Sequence, residues 1–179
     1  SALYKYTFHK LWGHIGGHMK YEYTENNLTL KVLDERYTDD IFSFYYSNRE
    51  YFDPYEVDKP IHFYTKEFIN ALVKAEFKAF YQLKHARYYL YQSGSDKIIG
   101  SVSFSNINKG MSSCIIGYKI DRQFACQGLG KKMVTMALKA IVADYGMHRV
   151  EAYIHPDNLR SIKLCESLGF ISEGTAHAY

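Results

Sequence analysis

No apolar stretch in this chain approaches the roughly 20 residues needed to cross a bilayer, and no basic segment followed by an apolar run opens it. Neither a membrane anchor nor a secretory signal is expected, and no membrane partner. Cysteine is scarce: Cys114, Cys126 and Cys165 are odd in number, have no CxxC spacing and lie within apolar patterns. That excludes a disulfide scaffold and reads as reduced thiols in a cytoplasmic protein. Charge of one sign is lacking too, because the net charge is only +3 and the basic residues are dispersed. A nucleic-acid partner is not indicated. No His, Cys or carboxylate cluster has metal-ligand spacing, so no metal is expected. Repeats, low-complexity tracts and long linkers are also missing.

What is present suits a packed core. The chain has 179 residues, 47% of them apolar, with 18 Tyr and 11 Phe, a composition that belongs to a globular protein and not a disordered one. Residues 19–179 read as a single domain. Residues 1–18 read as an appended leader or an N-terminal extension, because Gly16-Gly17-His18 precedes Met19.

Leu28, Leu30 and Val32 alternate with polar neighbours and predict a strand, after which Thr38-Asp39-Asp40 offers a helix start. That helix is expected to bury Ile41, Phe44 and Tyr45 and to stop before Pro54. A second helix is expected from about Thr65 to about Leu83. Strands follow at Ala86 to Gln92, Lys97 to Asn106 and Ser113 to Ile120, separated by turns at Ser93-Gly94-Ser95-Asp96 and Asn108-Lys109-Gly110. From Leu129 to Tyr145 apolar residues recur at helical spacing, and Gly146 supplies the stop. A strand over Arg149 to His155, a short helix capped by Asn158 and ending at Gly169-Phe170, and a last strand from Phe170 complete the pattern. The order βαα, three strands, α, β, α, β marks an α+β fold with a mixed, mostly antiparallel central sheet.

Between the strand ending at Ile120 and the helix beginning at Leu129 lies Gly128-Leu129-Gly130-Lys131-Lys132. Two closely spaced glycines let backbone N–H groups converge on one point, and a helix start adds unpaired donors and a positive dipole end. Lys131 and Lys132 in the first turn oppose that dipole, a conflict that a bound anion removes. A phosphate seat fits these features, and so does a plain connecting turn. The run is neither of two familiar nucleotide loops. Met133 stands where a dinucleotide fingerprint needs its third glycine, and Ala125 and Lys132 replace the glycine and hydroxyl residue of a P-loop.

Three ordered stretches carry a resemblance: Ile116-Gly117-Tyr118-Lys119-Ile120 with Gln127-Gly128-Leu129-Gly130, then Pro156-Asp157-Asn158-Leu159-Arg160-Ser161, then Glu166-Ser167-Leu168-Gly169-Phe170. Together they resemble the GCN5-related N-acetyltransferase (GNAT) family. Asn48 to Tyr55 looks like the substrate-side segment of the branch that acetylates ribosomal-protein N-termini, such as alanine, and related amines. The resemblance implies helices on both faces of the sheet, a glycine loop at a strand-to-helix turn, and acetyl-CoA as co-substrate. Its pyrophosphate would rest on Gln127, Gly128, Leu129, Gly130, Lys131 and Lys132. Its pantetheine arm would run beside Tyr118 and Ile120, and Asn158 and Ser161 would hold it, although a simple helix cap is an equal reading of Asn158. Tyr51, Phe52 and Tyr55 would face the acceptor amine.

The family's chemistry is attack of a neutral amine on the thioester, with an oxyanion held by an N–H of the Ile116 to Ile120 strand. Relatives often place an acid tyrosine seven residues after the asparagine, and here Cys165 occupies that position. Ser161 is expected as the acid instead. Glu151, half-buried in mid-strand, is expected as the base with a raised pKa, while an ion pair with Arg149 is the other reading. His155, His177, Tyr118 and Tyr179 are fallbacks. Ala125 and Cys126 depart from the usual loop, and a non-catalytic acyl-CoA-binding module stands as the alternative. The last strand is cut at Tyr179, leaving an edge for a second copy, so both a monomer and a homodimer are expected possibilities.

Overall fold

The central strands of the sheet alternate their side chains between two layers of helix. In the computed structural model, which describes residues 2–9 and 20–177, eight strands form one sheet in the order β2-β3-β4-β5-β6-β7-β1-β8. They are β1 (Ala2–His9), β2 (Glu22–Glu25), β3 (Leu28–Lys31), β4 (Ala86–Gln92), β5 (Gly100–Asn108), β6 (Ser113–Ile120), β7 (Arg149–Ile154) and β8 (Ile171–His177). Every pairing is antiparallel except β6 with β7, which is parallel. Tyr88 and Leu90 of β4 enter the core with Val102 and Phe104 of β5 and with Met133, Ala137 and Ile141 of α4 (Leu129–Tyr145). On the opposite face Tyr89 packs with Ile41 and Phe44 of α1 (Thr38–Ser47) and Ile69 and Val73 of α3 (Lys66–Tyr81). The sheet is therefore covered on both sides, as the α+β reading requires.

The second layer is held by charge as well as by apolar contact. Arg87 on β4 donates through Nε to both carboxylate oxygens of Glu76 on α3, at 2.8 and 3.0 Å, and through Nη1 to Ser101 at 3.2 Å. Burial pushes the Glu76 carboxyl up, but the Arg87 guanidinium and His85 outweigh it and hold it below its ordinary value. Thr65 caps α3 by accepting the Phe68 N–H at 3.2 Å.

Several boundaries differ from expectation. The first helix, expected to end before Pro54 with Asn48 to Tyr55 as its end and an aromatic loop, breaks at Asn48, where a second short helix, α2 (Arg49–Phe52), begins. Asn48 is buried, and its amide donates to the Phe44 carbonyl at 2.9 Å and to Asp121 at 3.3 Å, while its Oδ1 accepts the Arg122 N–H at 2.9 Å. A tertiary anchor overrides the helical run. The strand expected from Lys97 starts only at Gly100, and the last strand starts at Ile171. Residues 2–9 of the segment read as a leader or extension form β1, inserted between β7 and β8 and paired with both. Residues 10–18 of that segment lie outside the described residues.

Candidate active site

The parallel ladder between β6 and β7 ends early. Its pairs run from Ser113 with Arg149 to Ile116 with Ala152, yet β6 continues to Ile120 and β7 to Ile154. On its other edge β6 stays paired with β5 up to Ile120. Beyond Ile116, then, the two strands part, and the backbone of Gly117 to Ile120 faces an open wedge. Extended polar backbone with no strand opposite it is the surface on which an extended ligand adds like a strand.

The chain leaves the wedge at Ile120 and reaches the glycine loop through a single turn, Arg122–Phe124, capped by Asp121, whose side chain accepts the Gln123 N–H at 2.8 Å. Gly128 sits at the helix N-cap with φ +76°, a left-handed conformation that costs glycine nothing. A Cβ on Gly130 would lie 3.0 Å from Leu164 Cδ1 and 3.4 Å from Ile120 Cγ1, so its hydrogen is what lets α4 begin this close to β6 and to α5 (Leu159–Ser167). The first helical bond is Lys132 N–H to Gly128 O at 3.2 Å. Upstream of it, the N–H groups of Gln127, Gly128, Leu129, Gly130 and Lys131 find no backbone acceptor among the described residues. Lys131 and Lys132 are exposed beside them, and Leu129 is buried beneath. Five consecutive N–H groups without a backbone acceptor, two exposed lysines and a helix dipole are features that suit an anion such as a diphosphate.

On the α5 side of the wedge, Tyr118, Ser161 and Cys165 meet. The Ser161 hydroxyl lies 2.7 Å from the Tyr118 hydroxyl, which is 3.1 Å from the Ser161 carbonyl and 3.3 Å from the Cys165 sulfur. Burial pushes the Cys165 thiol up to about 11, against a smaller opposing effect of Tyr118, as for an inert core thiol. Burial likewise raises the Tyr118 phenol. Asn158 caps α5, its Oδ1 accepting the Ser161 N–H at 3.2 Å.

Glu151 faces the other side of the sheet. Its Oε1 takes Arg149 Nε at 2.8 Å and Lys5 Nζ at 3.3 Å, and its Oε2 takes the Tyr153 hydroxyl at 2.8 Å. Burial raises the carboxyl, but the hydrogen bonds from Tyr153, Arg149 and Lys5 outweigh it and hold the pKa below its ordinary value. The expected rise is thus reversed by partners, one of which comes from β1. The expected acceptor-side aromatics divide. Tyr51 lies under the Arg160 guanidinium at 4.6 Å and Tyr55 packs edge-on to His155 at 6.3 Å, while Phe52 is largely buried. His155 accepts the Asp157 N–H at 3.2 Å. His177 lies in β8, paired with Ala2, and Tyr179 lies outside the described residues.

Lys119 escaped the sequence reading. It projects from β6 to the face that carries α1 and α2, between the rings of Tyr45 at 5.6 Å and Phe52 at 5.3 Å, and pairs with Glu56, which also holds Lys59. Burial lowers its pKa to about 8, with the Asp53 charge opposing. Its signal was a lone cation within an otherwise apolar strand.

Comparison with known proteins agrees with this geometry. The family model described as Acetyltransferase (GNAT) domain matches residues 27–171. The [Ribosomal protein uS5]-alanine N-acetyltransferase of Escherichia coli is 28% identical over 172 residues, spanning 94% of this chain and 88% of that protein. The crystal structure of ribosomal-protein-S5-alanine acetyltransferase from Vibrio fischeri superposes with a TM-score of 0.80 at 22% identity, covering 86% of this chain and 84% of that one. Mycobacterium smegmatis RimJ in complex with CoA-disulfide gives 0.77 at 17% identity, covering 82% and 71%. These two likenesses show a shared fold. Because the family match takes in the wedge, the glycine loop and the Asn158 helix together, the chain belongs to the GNAT acetyltransferase family.

Proposed function

We propose that this chain is a cytoplasmic, acetyl-CoA-dependent N-acetyltransferase that acts on a primary amine by direct attack, the acceptor being a protein N-terminus such as a ribosomal-protein alanine, or a small-molecule amine. The observation that carries this reading is the wedge beyond Ile116 and Ala152 leading straight to five free N–H groups at Gln127 to Lys131. A chain with an extended polar arm and a diphosphate fits both parts at once. Two relatives that resemble this chain carry alanine acetylation of a ribosomal protein in their names, and RimJ was solved with a CoA disulfide, which supports the acceptor and the co-substrate respectively.

In this reading the bound thioester supplies the acyl carbon, and the protein supplies position and proton traffic. The N–H groups of Gln127 to Lys131 hold the diphosphate, with Lys131 and Lys132 adding charge. The backbone at Tyr118 and Ile120 holds the arm, and Asn158 and Ser161 fix it from α5. Glu151 receives the amine proton by way of water or the Tyr153 hydroxyl, and the Ser161 hydroxyl delivers one to the departing sulfur. Tyr51, Phe52 and Tyr55 bound the acceptor's entrance.

The test is release of CoA thiol from acetyl-CoA in the presence of peptides beginning with Ala or Ser, polyamines and aminoglycosides, alongside a melting shift with CoA. Turnover on one acceptor class is expected, lost in Glu151→Gln with CoA affinity kept and reduced in Ser161→Ala by far more than CoA affinity is. A large melting shift with no turnover on any amine would overturn the catalytic assignment.

A further inference from the structure

Glu151 is held by more than its own strand. Lys5 Nζ on β1 lies 3.3 Å from Glu151 Oε1 and 3.3 Å from Glu173 Oε2 on β8, while Arg149 spans the same two carboxylates at 2.8 and 3.0 Å. Two cations and two carboxylates thus close a ring across β7, β1 and β8. Register explains it: Lys5 pairs with Tyr153 and Thr7 with Glu151, which puts the Lys5 and Glu151 side chains on one face. Glu173 joins them where the β1–β8 register shifts between Lys5 and Tyr6. Tyr153, the next residue on that face and the first beyond the last β6–β7 pair, donates to the free oxygen of Glu151. The ring therefore sits beside the last paired steps of the β6–β7 ladder, with Tyr153 on the first unpaired one.

We propose that Lys5 is a positioning residue for Glu151, so that the N-terminal strand is part of the acceptor site and not an appendage to the domain. The proposal rests on the assignment of Glu151 as the base. Lys5 shares the load of Glu151 and Glu173 with Arg149. Without it, Arg149 alone serves two carboxylates that repel each other, and Glu151 is free to turn away from Tyr153. The charged and titratable groups facing Glu151 are Lys5 from β1, Arg149 and Tyr153 from β7 and Glu173 from β8, with Cys114 of β6 within its field. Loss of a cation at this distance moves a carboxyl upward by about one pH unit where it is partly exposed.

The experiment compares Lys5→Met and Lys5→Arg with the native chain in the pH dependence of kcat on the acceptor that gives turnover, with melting temperature as a check on folding. Lys5→Met is expected to move the acidic limb to higher pH by about one unit and to lower kcat more than it raises KM, and Lys5→Arg is expected to restore both. A purely structural role for β1 would lower the melting temperature in Lys5→Met and leave the limb in place, which would overturn the proposal. Glu151→Gln separates the two readings. If it abolishes turnover while Lys5→Met leaves the limb unmoved, the base stands and the role of Lys5 falls. If it retains turnover, the base falls and Lys5 with it. A carboxyl-carbon NMR titration of Glu151 reads the same shift independently of activity.

Discussion

The carboxamide of Asn48 receives the Arg122 N–H at 2.9 Å, and so ties the break between α1 and α2 to the turn that feeds the glycine loop. The same side chain donates to Asp121, which is buried and also meets Lys97 Nζ at 3.3 Å. A helix terminus on one face of the sheet thereby sets the start of a loop at its end. Asn48→Ala removes three hydrogen bonds and leaves a buried carboxylate short of a partner, at a cost of about 2–3 kcal/mol. Chemical denaturation is expected to report that loss, and CoA titration a weaker affinity as the loop's approach loosens. An unchanged affinity in a fully folded variant would show that the loop keeps its shape without this tie.

Gly128 and Gly130 fail for different reasons when substituted. At Gly128 alanine has space on every side but must adopt φ +76°, which costs about 1–2 kcal/mol. At Gly130 the backbone is helical, and the added methyl meets Leu164, a flexible side-chain end, and Ile120. Gly128→Ala should lower both stability and CoA affinity. Gly130→Ala should act more on affinity than on stability, because the neighbours that must give way border the wedge. Calorimetric titration with CoA beside thermal melting distinguishes the two patterns.

Ser161→Ala deletes the hydroxyl that lies against Tyr118, and a drop in kcat of about a hundredfold is expected, with a much smaller loss of CoA affinity. Tyr118→Phe leaves the Ser161 hydroxyl in place but removes its partner, and a smaller loss is expected. Should Tyr118→Phe prove the more damaging of the two, the proton donor would be the phenol.

The buried Glu76–Arg87 pair predicts a pH dependence of stability. The folded-state pKa of Glu76 is held below its unfolded value, so its contribution is complete above the unfolded pKa and disappears as pH falls through the folded one. Glu76→Gln leaves Arg87 charged and largely buried, at a cost of about 3 kcal/mol at neutral pH, and the difference from the native chain should shrink in acid. Urea midpoints between neutral and strongly acidic pH measure it.

Much of the fold was legible because the relevant signals are local. Helix α4 announced itself by period, and Gly146 stops it in a left-handed conformation at φ +69°. The glycine loop was legible because free donors follow from glycine spacing and a helix start. What escaped depends on distant partners. Nothing near Asn48 foretells that Asp121 and Arg122 will interrupt a helix. The expected pKa of Glu151 had the wrong sign because Lys5, far away in sequence, is its neighbour in the sheet. Lys119 drew no attention in an apolar strand, since its counterion Glu56 comes from a loop on another layer.

The neighbourhood of β1 has a consequence for the order of events in folding. Ala2 pairs with His177, and Tyr4 with Ile154. A ribosome makes β1 long before either companion, so β1 waits unpaired until β7 has emerged. Contacts of such sequence separation close slowly, and β8 can join the sheet only once that ancient segment has docked. Until β1 docks, β7 offers a bare edge to any extended peptide nearby.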